Sequence, residues 1–111
     1  MSAHVLVLTT MPDLDAAEHL AEDLVQARLA ACVNILPQVQ SIYMWQGKPC
    51  KDTEHLVFIK TTDQGYPKLQ SYIQNRHPYE LPEIIGTPIT RGLEKYLDCC
   101  LLYTSPSPRD S

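Results

Sequence analysis

Apolar and polar positions divide the chain into seven stretches. His4 to Thr10 is a short, almost continuous apolar run rich in β-formers and closed by Met11-Pro12-Asp13, the pattern of a buried central strand. From Asp13 to about Leu29, apolar residues return at Ala17, Leu20, Ala21, Leu24, Ala27 and Leu29, while Asp15, Glu18, Glu22 and Asp23 fall elsewhere. That spacing predicts an amphipathic helix with Asp13 as its cap. Ala31 to Trp45 reads as extended with a bend or bulge at Pro37, Gln46-Gly47-Lys48-Pro49 supplies a turn, and Thr53 to Thr62 is a second extended run. Gln64 to Arg76 predicts a second helix, with Pro67 in its first turn and Leu69, Tyr72, Ile73 and the stem of Arg76 on one side; Pro78 stops it. Glu83 to Thr90 returns as a strand, whose Pro88 demands an edge position, and Leu93, Tyr96 and Leu97 mark a short terminal helix.

With right-handed crossovers, this order gives an α+β fold: a ferredoxin-like βαββαβ sheet with both long helices on one face, the first and third strands central and the fourth at an edge. The hairpin has unusually long arms. An arm of about fourteen residues extends ~45 Å at ~3.3 Å per residue, more than one small domain can cover. Tyr43, Met44 and Trp45 lie toward its far end, and exposed strand edges invite pairing, so neighbouring copies of the chain are expected to shelter it. Tyr43 and Trp45 are then the expected interface anchors.

Composition narrows the class. A chain of 111 residues is expected to hold one domain. Thirteen acidic against nine basic residues give a net charge of -4, and the basic residues are scattered, so no nucleic-acid partner is expected. The apolar stretches are strand-sized and no cationic flank precedes an apolar run at the N-terminus, so neither a membrane partner nor export is expected and the chain reads as cytoplasmic. Cys32, Cys50, Cys99 and Cys100 have neither zinc-site spacing nor the density of a disulfide framework, and read as reduced thiols.

The segment His77-Pro78-Tyr79-Glu80-Leu81-Pro82-Glu83 packs an imidazole, two carboxylates and two prolines between a helix and a strand. His77 is the leading candidate metal ligand, with Cys32 or a carboxylate such as Glu80 or Glu83 beside it; the competing reading has it capping the preceding helix. Lys60 lies in an otherwise apolar strand and must find a carboxylate or water. Either it forms a structural ion pair, or Lys60, Tyr79, Glu83 and Glu54 surround an intersubunit cleft for a small anion or metabolite. No phosphate cradle, nucleophile elbow or catalytic zinc spacing is present, so binding rather than catalysis is expected.

That segment, read with Ala31-Cys32-Val33-Asn34-Ile35 and Ser41-Ile42-Tyr43-Met44-Trp45-Gln46-Gly47, closely resembles the CutA family of divalent-cation tolerance proteins, from about Val5 to Asp98. The resemblance implies the same fold, assembled through its sheets as a PII-like homotrimer. It further implies a role in tolerance of divalent metal ions, copper foremost. The alternative within the same assembly is a signalling or scaffold trimer that binds a small anionic metabolite between subunits. Metal ligation in the family points to a cysteine near the end of the first strand and to one or two histidines before the Pro-Tyr pair. Thr9 or Thr10 stands at the first of these positions and Arg76 precedes His77, so His77 alone matches.

The domain is expected to span 1–98. Residues 99–111 are expected to be a non-native tail, because Cys100-Leu101-Leu102-Tyr103-Thr104-Ser105-Pro106-Ser107-Pro108-Arg109-Asp110 breaks the helical pattern and resembles the translation of a transposon-end sequencing adapter. On that reading Cys99 is a truncated tryptophan codon, the Cys99-Cys100 pair is no soft-metal site, and the native C-terminal helix is lost.

Overall fold

The computed structural model describes residues 4–104, with the backbone alone at 101–103. The elements follow in the expected order: β1 His4–Met11, α1 Leu14–Gln26, β2 Cys32–Trp45, β3 Lys48–Thr62, α2 Tyr66–Arg76, β4 Ile84–Ile89 and α3 Glu94–Tyr103. The strands make one antiparallel sheet in the order β2-β3-β1-β4. β1 and β3 are therefore central, and Pro88 opposes Val5 from the edge strand β4, where a missing N–H interrupts no inner ladder.

Alternation along the strands decides what each face carries. Val5, Val7 and Thr9 of β1 lie beside Thr61, Ile59 and Val57 of β3, and with Leu20 and Leu24 of α1 and Leu69 and Ile73 of α2 they close the core. Val7, Leu24, Val57, Ile59, Leu69 and Ile73 are wholly buried, each contributing ~1.5–3 kcal/mol by leaving water. The opposite face carries Leu6, Leu8, Leu56 and Phe58, half-buried, and Leu36 and Ile85, both 52% exposed. Neither long helix reaches that face. Only α3 does, since Lys60 sits on it and the Tyr96 ring lies 5.6 Å from the Lys60 ammonium.

The ends of the elements have local causes. Asp13 caps α1 by accepting the Ala16 N–H at 2.7 Å. Arg28, at φ 60, turns the chain after the helix so that Leu29 and Ala30 are buried. Gln46 and Gly47, at φ 51 and 79, form a two-residue turn that suits the twist of the long hairpin. β3 consequently starts at Lys48, five residues earlier than Thr53, and the turn is tighter than the four residues the sequence suggested. The long dimension of the molecule is 46 Å, as the arm length required.

α3 runs on to Tyr103, across the break in pattern at Cys100, with Cys100 only 5% exposed, because a thiol packs as a small hydrophobe. The remainder of the expected tail, 105–111, lies outside the described residues. Among the described residues, no helix is long and apolar enough to cross a membrane.

Candidate functional site

A single bulge builds the site. Leu36 pairs with Leu56, but the next pair is Val39 with Glu54, so β2 spends one residue more than β3 at Pro37-Gln38. Gln38 takes φ 59, and its N–H donates to Nδ1 of His55 at 3.3 Å. The extra residue reverses the alternation of β2. Beyond it the odd-numbered Val39, Ser41 and Tyr43 share a face with Glu54, Asp52 and Cys50. Tyr43 thus reaches diagonally to Asp52 and donates its phenolic hydrogen to Oδ2.

The other wall comes from the segment after α2. The backbone N–H of His77 closes the helix on the Ile73 carbonyl at 2.8 Å. Its ring does not cap the helix, as one reading of the sequence expected. Instead Nδ1 accepts the Tyr79 N–H at 3.1 Å and Nε2 lies 2.7 Å from the Thr10 carbonyl. Because Nδ1 accepts, the hydrogen-bond pattern assigns the proton to Nε2, which donates to Thr10. The rings of His77 and Tyr79 pack at 4.9 Å, and the Tyr79 hydroxyl donates to Oε2 of Glu54 at 2.8 Å.

These contacts frame a cleft of about 490 Å³, lined by Tyr43, Trp45 and Tyr79, by Asp52, Glu54 and Glu83, and by Thr10 and Leu81. Glu54 is only 9% exposed, whereas Trp45 is 62% and Tyr43 is 44% exposed. Both phenols hold their protons unusually hard. Tyr43 is pushed up to about 12 by its hydrogen bond to Asp52, reinforced by desolvation. Tyr79 is likewise pushed up to about 12, by desolvation first and then by its bond to Glu54.

The residues expected to carry chemistry fall into separate places. Tyr79, Glu83 and Glu54 line one cleft within the chain, and Tyr43 and Trp45, expected only as interface anchors, join them. Lys60 does not. It donates to Oδ1 of Asn34 at 2.8 Å and faces Tyr96, at the other end of the open face. Six residues of strand separate it from Glu54, roughly 20 Å at ~3.3 Å each. Asp52 was missed because Lys51-Asp52-Thr53-Glu54 reads as a solvated polar run; the turn held the signal, since pairing Trp45 with Lys48 sets Tyr43 one step from Asp52.

The metal candidates do not converge. Cys32 pairs with Lys60, its thiol 3.9 Å from Oδ1 of Asn34, while His77 holds the Thr10 end of β1. Both imidazole nitrogens of His77 are already engaged, so coordination requires one to leave its partner. Among the described residues, no three His, Cys, Asp or Glu side chains are grouped so as to hold a metal ion. A single chain therefore does not fit tight copper coordination by His77 and Cys32.

Comparison with known proteins gives a consistent result. Residues 5–100 match the sequence model of the family described as CutA1 divalent ion tolerance protein. The Thermus thermophilus divalent-cation tolerance protein CutA is 47% identical over 93 residues, 84% of this chain and 90% of that protein. The Arabidopsis thaliana protein CutA, named as chloroplastic, is 43% identical over 94 residues; these are 85% of this chain but 52% of that protein, so the chain spans about half of the plant relative. Among solved structures, CutA1 from Oryza sativa superposes with a TM-score of 0.92 at 37% identity, covering 95% of this chain and 96% of that one. The Thermus thermophilus structure gives 0.87 at 44% identity, covering 95% and 100%.

Proposed function

The chain belongs to the CutA1 divalent ion tolerance protein family, and from that premise we propose that it acts as a cytoplasmic homotrimer in tolerance of divalent metal ions, copper foremost, by binding rather than by turnover. The observation that carries the assembly is the open face of the sheet. Leu6, Leu8, Leu36, Leu56, Phe58 and Ile85 form an apolar surface that neither long helix covers, and a sister chain is the economical cover. The free thiols of Cys32 and Cys50 suit a reducing compartment.

For the ion itself the chain offers His77, whose Nδ1 must first release the Tyr79 N–H. Coordination there is accordingly weak and of low stoichiometry, helped by a carboxylate such as Glu80 or Glu83. Sedimentation tests the trimer, and a well-folded solitary chain at micromolar concentration overturns it. Calorimetric titration with copper(II) on the wild type and His77→Ala tests the ion, and identical isotherms remove His77 from the account.

One observation favours the second reading, a PII-like signalling or scaffold trimer: a cleft of about 490 Å³ is far larger than a bare ion needs. A small anion was the expected occupant. With Lys60 elsewhere, no Lys, Arg or His lines the cleft in this chain. Thermal-shift screening with metals and with nucleotides separates the two readings, since a ligand that binds the folded form raises its melting temperature.

A further inference from the structure

The cleft lacks something that its own chemistry defines. Glu54 is nine-tenths buried, and its partner Tyr79 is a neutral phenol. A buried carboxylate in native proteins is ordinarily balanced by a cation, yet no ion pair to a described residue is made by Asp52, Glu54 or Glu83. The phenols do not relieve the charge, because each donates its hydrogen while keeping its proton far above neutral pH. The cleft therefore gathers three carboxylates and three aromatic rings, and this chain supplies it with no Lys, Arg or His.

The class of occupant follows from what this lining rewards and penalises. An anion would meet three carboxylates and no donor cation from this chain. A hard divalent ion needs about six oxygen ligands at close range, and the carboxylates are not grouped to supply even three. An organic ammonium satisfies both conditions, because its charge is spread over a larger body that aromatic faces attract and separated carboxylates balance.

We propose that the cleft of Tyr43, Trp45, Tyr79, Asp52, Glu54 and Glu83 is a binding site for an organic cation, a small molecule bearing an ammonium group. This rests on reading the cleft as a ligand site, and it names the ligand class for that site.

Trp45 is the single tryptophan of the chain and lines the cleft, so its fluorescence reports occupancy. The full chain is titrated with tetramethylammonium, putrescine and spermidine, and separately with inorganic phosphate, magnesium and copper(II), with calorimetry in parallel. The expected result is saturable binding of at least one ammonium probe, weakened at least about tenfold in Glu54→Gln and in Glu83→Gln. Glu83 is exposed and makes no hydrogen bond to a described residue, so Glu83→Gln keeps the test valid should Glu54→Gln fail to fold. Ammonium binding that both variants leave unchanged overturns the assignment to this cleft. Saturation by phosphate or by a metal but by no ammonium probe overturns the inference and leaves the cleft as a ligand site. Silence from every probe by both methods overturns both.

Discussion

The Tyr79 hydroxyl reaches Oε2 of Glu54 at 2.8 Å and ties the segment after α2 to the middle of the long hairpin. Tyr79→Phe removes the donor and leaves a carboxylate, 9% exposed, without its partner. The expected cost is ~1–3 kcal/mol of folding stability, read from chemical denaturation. Tyr79→Phe combined with Glu54→Leu is expected to recover part of that loss, because the unmatched charge is then gone. A Tyr79→Phe variant as stable as the wild type would show that the ring serves packing alone.

Alkaline titration tests the two raised phenols. A tyrosine pushed up when folded favours the protonated native state, so its stabilising effect is complete below the ordinary value of 10.0 and is lost as pH rises from there through about 12. Phenolate absorbance should show two of the tyrosines ionising late, and Tyr43→Phe and Tyr79→Phe should each remove one of them. Ordinary titration of every tyrosine would contradict the hydrogen bonds to Asp52 and Glu54.

Deleting Gln38 restores plain alternation to β2. With the Trp45–Lys48 turn kept, Tyr43 stays opposite Cys50 and beside Asp52, because the deletion removes only the residue that the bulge holds out of the ladder. Both late-titrating phenols should remain, while the N–H that Gln38 gives to His55 is lost. A deletion variant that loses the late phenol of Tyr43 would show that the arm slips its register instead of closing the bulge.

The open face is tested from its centre. Leu8→Asp places a charge amid Leu6, Phe58 and Ile85 without touching the packing beneath the helices. Sedimentation should show the proposed trimer dissociating, since a desolvated unpaired charge at an interface costs several kcal/mol. Trp45→Ala should lower trimer stability as well. A trimer unmoved by Leu8→Asp would place the contact elsewhere.

Much of this architecture was legible in residue order. Pro88 alone called for an edge strand, the apolar period from Ala17 to Leu24 gave α1, and the stretch from Ala31 to Trp45 gave an arm too long for its own domain. The His77–Glu83 segment announced a fixed wall, and Tyr79, Glu83 and Glu54 do meet. What pattern could not show was facing. A one-residue bulge leaves composition and hydropathy nearly unchanged yet exchanges the two sides of everything beyond it, so Tyr43 and Asp52 became partners unseen. Within one chain Lys60 stands apart for the complementary reason: it shares a face with Glu54, but facing says nothing of distance along a strand. His77 was read for its lone pairs, and local hydrogen bonds had already claimed them.

That claim on the imidazole sets a rule for position 77. The side chain there must give a hydrogen at one tip of a rigid plate and take one at another, bridging the end of β1 to the backbone of Tyr79. Glutamine and asparagine carry both capacities at a single tip, and lysine can only give. Position 77 accordingly has no conservative substitute, and a histidine retained there would be accounted for by scaffolding alone, whether or not an ion ever visits.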